Sequence, residues 1–197
     1  MENEYYKTKE SVDEYIKLAK GIDGRDHIKK LKTFLPLGSS LLEIGSGPGA
    51  DWSILAKDYK TIGSDNSKEF LSHLNAHFPE GKFLELDALN LKTDILFDGI
   101  YSNKVLHHLN EDELSISIKK QHKILNQNAI ICHSFWQGKG SEIFNGLFVQ
   151  YHNPESLKLL FNGRFKILFL EPYTEFERED SLLLIGQKIS LMLAMEN

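Results

Sequence analysis

The densest chemistry in the chain lies in Leu41-Leu42-Glu43-Ile44-Gly45-Ser46-Gly47-Pro48-Gly49-Ala50-Asp51, an apolar run that passes into alternate glycines and opens a helix. Glycine at such a turn permits positive φ and lets a ligand approach the backbone with no Cβ in between. The free N–H groups at the helix start suit an anionic or polar ligand group. Asp65 follows about 20 residues after Gly45, at the end of the next strand-like run, where a carboxylate can accept from both hydroxyls of a ribose. A third run, Leu84-Glu85-Leu86-Asp87-Ala88, also ends on an acid. Gly45-x-Gly47-x-x-Ala50 by itself fits a dinucleotide fingerprint, which would make the chain an NAD(P)-dependent oxidoreductase. Three features point away from NAD: the two helices ahead of the turn, the second acid at Asp87, and a sheet that closes on an antiparallel pair.

The elements that must position these residues follow from hydrophobic periodicity. Helices are predicted over about 10–20, with Val12, Tyr15, Ile16 and Ala19 on one face, and over about 25–34, through Ile28, Leu31 and Leu35. Strands are predicted at Ser40–Ile44, Thr61–Ser64, Phe83–Leu86, Phe97–Tyr101 and Ala129–Phe135. Between them come a helix over about 50–58, a helix that Asn66 opens with Glu69 in capping-box spacing, and a long helix capped by Asn110. Residues 136–152 read as a polar-aromatic connection, and Asn153-Pro154 starts another helix. Two final strands, about 165–171 and 181–187, are joined by a link too short for a crossover helix, so they must be antiparallel. Strand–helix alternation of this kind makes an α/β fold around a largely parallel sheet.

Composition agrees. The 197 residues are 41% hydrophobic and 26% charged, a globular profile of single-domain size. The partition is a helical cap at 1–36, a core at 40–188 and a tail at 189–197. A formal net charge of −5 argues against nucleic acid as the main partner. The single cysteine, Cys132, excludes an intrachain disulfide framework and a cysteine-rich zinc site. The start MENEYYKTKE does not read as a signal peptide, and no apolar run is long enough to span a bilayer, so a cytoplasmic protein is expected.

These motifs, taken in order, resemble the class I S-adenosylmethionine-dependent methyltransferases. Glu43-Ile44-Gly45-Ser46-Gly47-Pro48-Gly49 matches the family's first motif and Gly63-Ser64-Asp65-Asn66-Ser67 the second. Leu86-Asp87-Ala88 matches the third, and Phe97-Asp98-Gly99-Ile100-Tyr101-Ser102-Asn103, running into Leu106-His107-His108-Leu109, the fourth. The resemblance covers about 40–188. It implies a Rossmann-like doubly wound sheet of seven strands in the order 3-2-1-4-5-7-6, the seventh antiparallel, with helices on both faces. It implies S-adenosyl-L-methionine as cofactor, held by Glu43, Gly45, Ser46, Gly47, Gly49, Asp65, Asn66, Asp87, Ala88 and Asn103. Asp65 would meet the ribose, Asp87 with the Ala88 backbone the adenine amino group, and the backbone at Gly45 and Asn103 the methionine amino group. Tyr5, Tyr6 and Tyr15 would fold over the cofactor or pack in the core. Asp98 would brace neighbouring loops. Asp51 reads equally as a partner of the methionine ammonium and as a helix-dipole acid. Glu43 stands where Asp is commoner, and no Asn/Asp-Pro-Pro-Tyr sequence follows the fourth strand, which departs from the methyltransferases acting on exocyclic amines of nucleic acids or on glutamine.

The acceptor would sit beyond the carboxyl ends of the strands. There the sequence offers His108, His133, Trp136, Tyr151 and His152 as pocket residues, with His108 and His133 as candidate bases. No metal site is expected, because adjacent His107 and His108 project in different directions. The expected reaction is methyl transfer to a small-molecule acceptor. A cofactor-binding module without catalysis is the non-enzymatic alternative.

Overall fold

The computed structural model describes residues 6, 8–144 and 146–190. Tyr5 and the tail beyond 190 lie outside the described residues. Two helices, α1 (Lys9–Leu18) and α2 (Arg25–Leu31), precede the first strand, β1 (Ser40–Ile44). The glycine turn leads to α3 (Ala50–Leu55), then β2 (Lys60–Asp65), α4 (Lys68–His77) and β3 (Lys82–Glu85). After β4 (Phe97–Asn103) comes a 3-10 turn over Leu106–His108, then α5 (Glu111–Lys123) and β5 (Leu125–Trp136). A hairpin of β6 (Ser141–Phe144) and β7 (Leu147–Gln150) precedes α6 (Pro154–Phe161), β8 (Phe165–Tyr173) and β9 (Ser181–Lys188).

The main sheet has seven strands in the order β3-β2-β1-β4-β5-β9-β8. With the hairpin set aside, this is the expected 3-2-1-4-5-7-6. β9 runs antiparallel to both β5 and β8, as the helix-free link between them requires. Successive side chains of the central strands feed opposite layers. Leu42, Ile44, Ile131, Phe135, Leu182 and Leu184 pack toward α5 and α6, whereas Leu41, Ile130, Cys132, Leu183 and Ile185 pack with α2 and α3 residues such as Ile28, Leu31 and Leu55.

Local capping places several boundaries. Asn110 and Glu113 form a reciprocal capping box at α5, and Asn153 caps α6 with Pro154 in its first turn. The α4 start differs from expectation: Ser67, not Asn66, is its cap, with the Ser67 hydroxyl accepting from Phe70 N–H. Asp65 explains the shift, since its carboxylate accepts from Ser67 N–H at 2.9 Å and closes a bend at Asn66 before the helix begins. The polar-aromatic connection over 136–152 contains the β6–β7 hairpin, a structure with too few alternating residues per strand to read from periodicity. Asp98 accepts from Ser40 and Asn126 at the amino end of β4, and so braces neighbouring loops as expected.

His133 is the main correction. β5 alternates, so Cys132 and Ser134 face α2 while His133 faces α5, and its ring is fully buried. Both ring nitrogens are taken: Nε2–H donates to Gln121 Oε1 at 2.9 Å, and Nδ1 accepts from Ser102 Oγ–H at 2.8 Å. Burial drives its pKa down to about 3. Gln121 in turn donates to Ser117, and Ser117 to the Ala88 carbonyl, completing a polar chain from β4 to the loop after β3. His133 is therefore a neutral core residue and not an acceptor-facing base.

Replacing His133 with Ala should cost about 2–4 kcal/mol of stability, from a cavity plus the two orphaned partners. Because the folded pKa lies below the ordinary 6.5, the stabilisation is complete above pH 6.5 and is lost as pH falls toward 3. Chemical denaturation of both proteins at several pH values checks this.

Candidate active site

β1, β2, β4 and β5 are parallel, so their last residues, Ile44, Asp65, Asn103 and Trp136, share one edge of the sheet. The glycine turn starts there. Gly45, Gly47 and Gly49 all have positive φ. A Cβ on Gly45 would strike Val105, and one on Gly49 would strike Phe78 and Leu74, so those two glycines admit neighbouring side chains. At Gly47 the nearest atom to such a Cβ would be Tyr15 Cε1 at 4.0 Å, an ordinary contact, which leaves a methyl-sized slot between the turn and α1. Tyr15 stacks edge-on against Tyr6 and Phe70, and the Tyr6 carbonyl accepts from Ser67 Oγ at 2.6 Å, so the N-terminal segment roofs this slot.

Asp65 is buried at the slot's inner end and accepts from Gly47 N–H at 3.0 Å. Burial raises its pKa, against the backbone donors of Ser67, Gly47 and Asn66. Asn66 itself is exposed beside it. Asp87 is exposed, and its Oδ1 accepts from Leu89 and Asn90 N–H groups. Glu43 lies beneath the turn, with Ser46 Oγ donating to its Oε2 at 2.6 Å. Ser64 N–H donates to the same Ser46 oxygen, and Ser64 Oγ donates to the Glu43 carbonyl. Burial, with Asp51 and Asp65 nearby, pushes Glu43 up to about 8.

Asp51 resolves into neither of its two expected roles alone. Gly24 N–H donates to its Oδ1 at 2.5 Å, and Tyr101 O–H and Asn103 Nδ2 both donate to its Oδ2, at 2.8 and 3.0 Å. It joins α2, α3 and β4. A Cβ on Gly24 would lie 2.1 Å from the Tyr101 hydroxyl oxygen, so only glycine lets the backbone come this close. Asn103 Oδ1 is held by Ser134 Oγ on β5. No local pattern marks Gly24 or Tyr101, because their partner is more than 25 residues away in each case.

Beyond Asn103 the chain turns at Lys104, a non-glycine residue at φ 55°. Lys104 was not singled out by the sequence. Its Nζ donates to Ser181 Oγ at 2.6 Å and to the Phe135 carbonyl at 3.3 Å, and lies 3.2 Å from the Trp136 ring centroid. Burial lowers it to about 7, with Glu175 and Asp180 opposing. Phe176 stacks on Trp136 from the β8–β9 loop. His108 is half-buried, and its Nδ1–H donates to the Phe148 carbonyl on β7 at 2.8 Å. That bond leaves the lone pair on Nε2. His107 and His152 are buried and neutral, and neither His152 nitrogen has a hydrogen-bond partner among the described residues. Tyr151 O–H donates to Glu142 at 2.5 Å and braces the hairpin. The edge thus gathers Lys104, His108, Trp136 and His152 but not His133.

Two outcomes follow from the buried groups. Glu43 holds its proton in the folded protein between its ordinary 4.5 and about 8, so stability falls as pH rises through that window, and Asp65 adds in the same direction. Melting curves from pH 5 to 8 should show this decline, and Glu43→Gln should flatten it. Gly24→Ala should cost about 1–3 kcal/mol by forcing apart the Asp51 hydrogen bonds, read as a lower denaturation midpoint.

Residues 41–128 match the family model described as a methyltransferase domain. A curated relative, a trans-aconitate 2-methyltransferase from Enterobacter sp. (strain 638), is 35% identical over 71 residues. The match takes in 34% of this chain and 28% of that protein, so the chain spans little more than a quarter of the relative. Among solved structures, an S-adenosylmethionine-dependent methyltransferase from Clostridium acetobutylicum superposes with a TM-score of 0.75 at 14% identity, over 92% of this chain and 98% of the other. The N-methyltransferase NodS from Bradyrhizobium japonicum, solved with S-adenosyl-L-homocysteine, gives 0.72 at 18% identity over 96% and 100%. The 1,6-didemethyltoxoflavin-N1-methyltransferase of Burkholderia thailandensis gives 0.76 at 16% identity over 95% and 84%. Residues 41–128 thus match a methyltransferase domain model, and the seven-stranded sheet has the fold of solved S-adenosylmethionine-dependent methyltransferases.

Proposed function

We propose that the chain acts in the cytoplasm and transfers a methyl group from S-adenosylmethionine to a small-molecule acceptor. One observation carries this reading: the Gly47 slot, Asp65 and the Lys104–His108 group lie along one carboxyl edge of the parallel strands. That is where ligands of open α/β sheets bind. The residues present suit the cofactor. Bare backbone at Gly47 suits the close approach of a ligand, Asp65 suits ribose hydroxyls, Asp87 and the Ala88 backbone suit the adenine, and the chain at Gly45 and Asn103 suits the methionine end, with Glu43 buried beneath the turn. Ser46 and Gly49 shape the turn, and Asn66 borders Asp65. When bound, the cofactor supplies an electrophilic methyl group on a positively charged sulfur, so the protein's task is mainly to aim the acceptor. Trp136, Phe176 and Tyr151 offer apolar surface for it. His108 Nε2 and the Lys104 amine offer proton acceptors for a nucleophile that must lose a proton. Among the described residues no helix is long and apolar enough to cross a membrane.

Calorimetry with S-adenosyl-L-homocysteine tests the cofactor half. Asp65→Ala should weaken binding by about 30- to 1,000-fold, the loss of roughly 2–4 kcal/mol of charge-assisted bonding, while leaving the melting temperature high. Unchanged affinity would remove Asp65 from the site, and tight NAD binding by the wild type would favour an oxidoreductase. Labelled-methyl transfer across a metabolite panel tests the acceptor half. His108→Ala should lower turnover without changing cofactor affinity, and Lys104→Met should remove an ionisation near pH 7 from the rate profile.

A further inference from the structure

The chain has eight histidines, and five of them, His27, His107, His122, His133 and His152, are buried. His108 is half-buried and tied to the hairpin. The remaining two, His73 and His77, stand on the outer side of α4, His77 exposed and His73 half-buried. They are four residues apart, so the helix stacks them on successive turns of one face. Their ring centroids are 3.9 Å apart with planes inclined by 28°. His77 Nδ1–H donates to the His73 carbonyl at 2.9 Å, which leaves Nε2 as the nitrogen with the lone pair. A histidine that gives one N–H to a backbone carbonyl and presents the other nitrogen to solvent is arranged as metal-ligating histidines are. Burial, and then His77 beside it, lower the His73 pKa, against the Pro48 carbonyl and Asp13 of α1, which favour its protonated form.

We propose that His73 and His77 chelate a divalent late first-row transition cation, such as copper, nickel or zinc. Two nitrogens at about 2.0–2.1 Å from one tetrahedral ion lie roughly 3.3 Å apart with their in-plane lone pairs converging, so binding requires the two side chains to rotate out of the observed stack, which their place on successive turns of one helix face allows. Neutral imidazoles select these cations over magnesium and calcium, which take oxygen ligands. Among the described residues no group of three or more His, Cys, Asp or Glu could hold a metal ion, so solvent completes the coordination and the ion exchanges freely. The site lies against the cofactor-binding turn: Leu74 and Phe78, on the inner side of the same helical turns, fill the space at Gly49. The cation therefore clamps the end of α4, the helix that supports the glycine turn.

The experiment is a calorimetric titration of the full chain with Ni2+, Cu2+ and Zn2+ at pH 7.5, with Mg2+ as the oxygen-seeking comparison. His73→Gln and His77→Gln are measured alongside. His77 is exposed, so His77→Gln should keep the wild-type melting curve without metal, and His73→Gln, at a half-buried position, is read against its own metal-free curve. The expected result is one saturable site per chain, tightest for Cu2+, absent for Mg2+, weakened at least about tenfold by either substitution and weakened as pH falls, because protons compete for the ligating nitrogens. No saturable binding by the wild type, equal binding of Mg2+, or unchanged affinity in both variants would overturn the proposal.

Discussion

A buried carboxylate is tolerable only when donors surround it, and Asp51 recruits its donors from three directions. Gly24 arrives from the start of α2, and Tyr101 and Asn103 from the end of β4, while Asp51 itself opens α3. The network does not stop there. Ser134 on β5 donates to Asn103 and receives the Lys104 N–H. The Lys104 side chain reaches Ser181 at the start of β9, and Ser181 donates to Asp180, whose carboxylate gathers the N–H groups of Glu175, Phe176 and Glu177. One continuous set of polar contacts thus runs along the functional edge from the N-terminal helices to the β8–β9 loop. It ties the ends of β4 and β5 to the start of β9.

The opposite layer is organised by a second polar chain, Ser102–His133–Gln121–Ser117–Ala88. Each hydroxyl or amide in it donates onward, so a neutral imidazole can be enclosed with no unmet nitrogen. The two chains start from adjacent β4 residues, Ser102 and Asn103, whose side chains point to opposite layers. The pleat of a single strand therefore separates a chain that reaches the loop after β3 from one that borders the acceptor edge.

Electrostatics along the edge are arranged by burial more than by ion pairs. Glu43 is pushed up to about 8 and Lys104 down to about 7, and the buried imidazoles are held neutral. A fixed negative charge stands at its far end, where burial is outweighed by the backbone N–H groups of Glu177, Glu175 and Phe176, which hold the Asp180 carboxyl down to about 2. The β6–β7 hairpin, anchored by the Phe148 carbonyl on His108 and by Tyr151 on Glu142, closes the edge from above.

What the sequence determined is what depends on near neighbours. The alternation of strand and helix, the glycine turn with its positive φ, the strand-end Asp65 and the caps at Asn110 and Asn153 are set within a few residues, and the fold class follows from them. The antiparallel last strand was legible too, since a short link admits no crossover helix. What only the tertiary structure decided depends on register and pleat. His133 was one residue away from the functional edge in sequence, yet β5 alternation turned it to the opposite layer, while its neighbour Ser134 joined the Asp51 network. Lys104 looked like any surface lysine until β5 and β9 brought Trp136 and Ser181 to it. His73 and His77 became a pair only because the stretch between them is a helix with its outer face open to solvent. In each case the chemistry came from side chains that the backbone path alone could bring together.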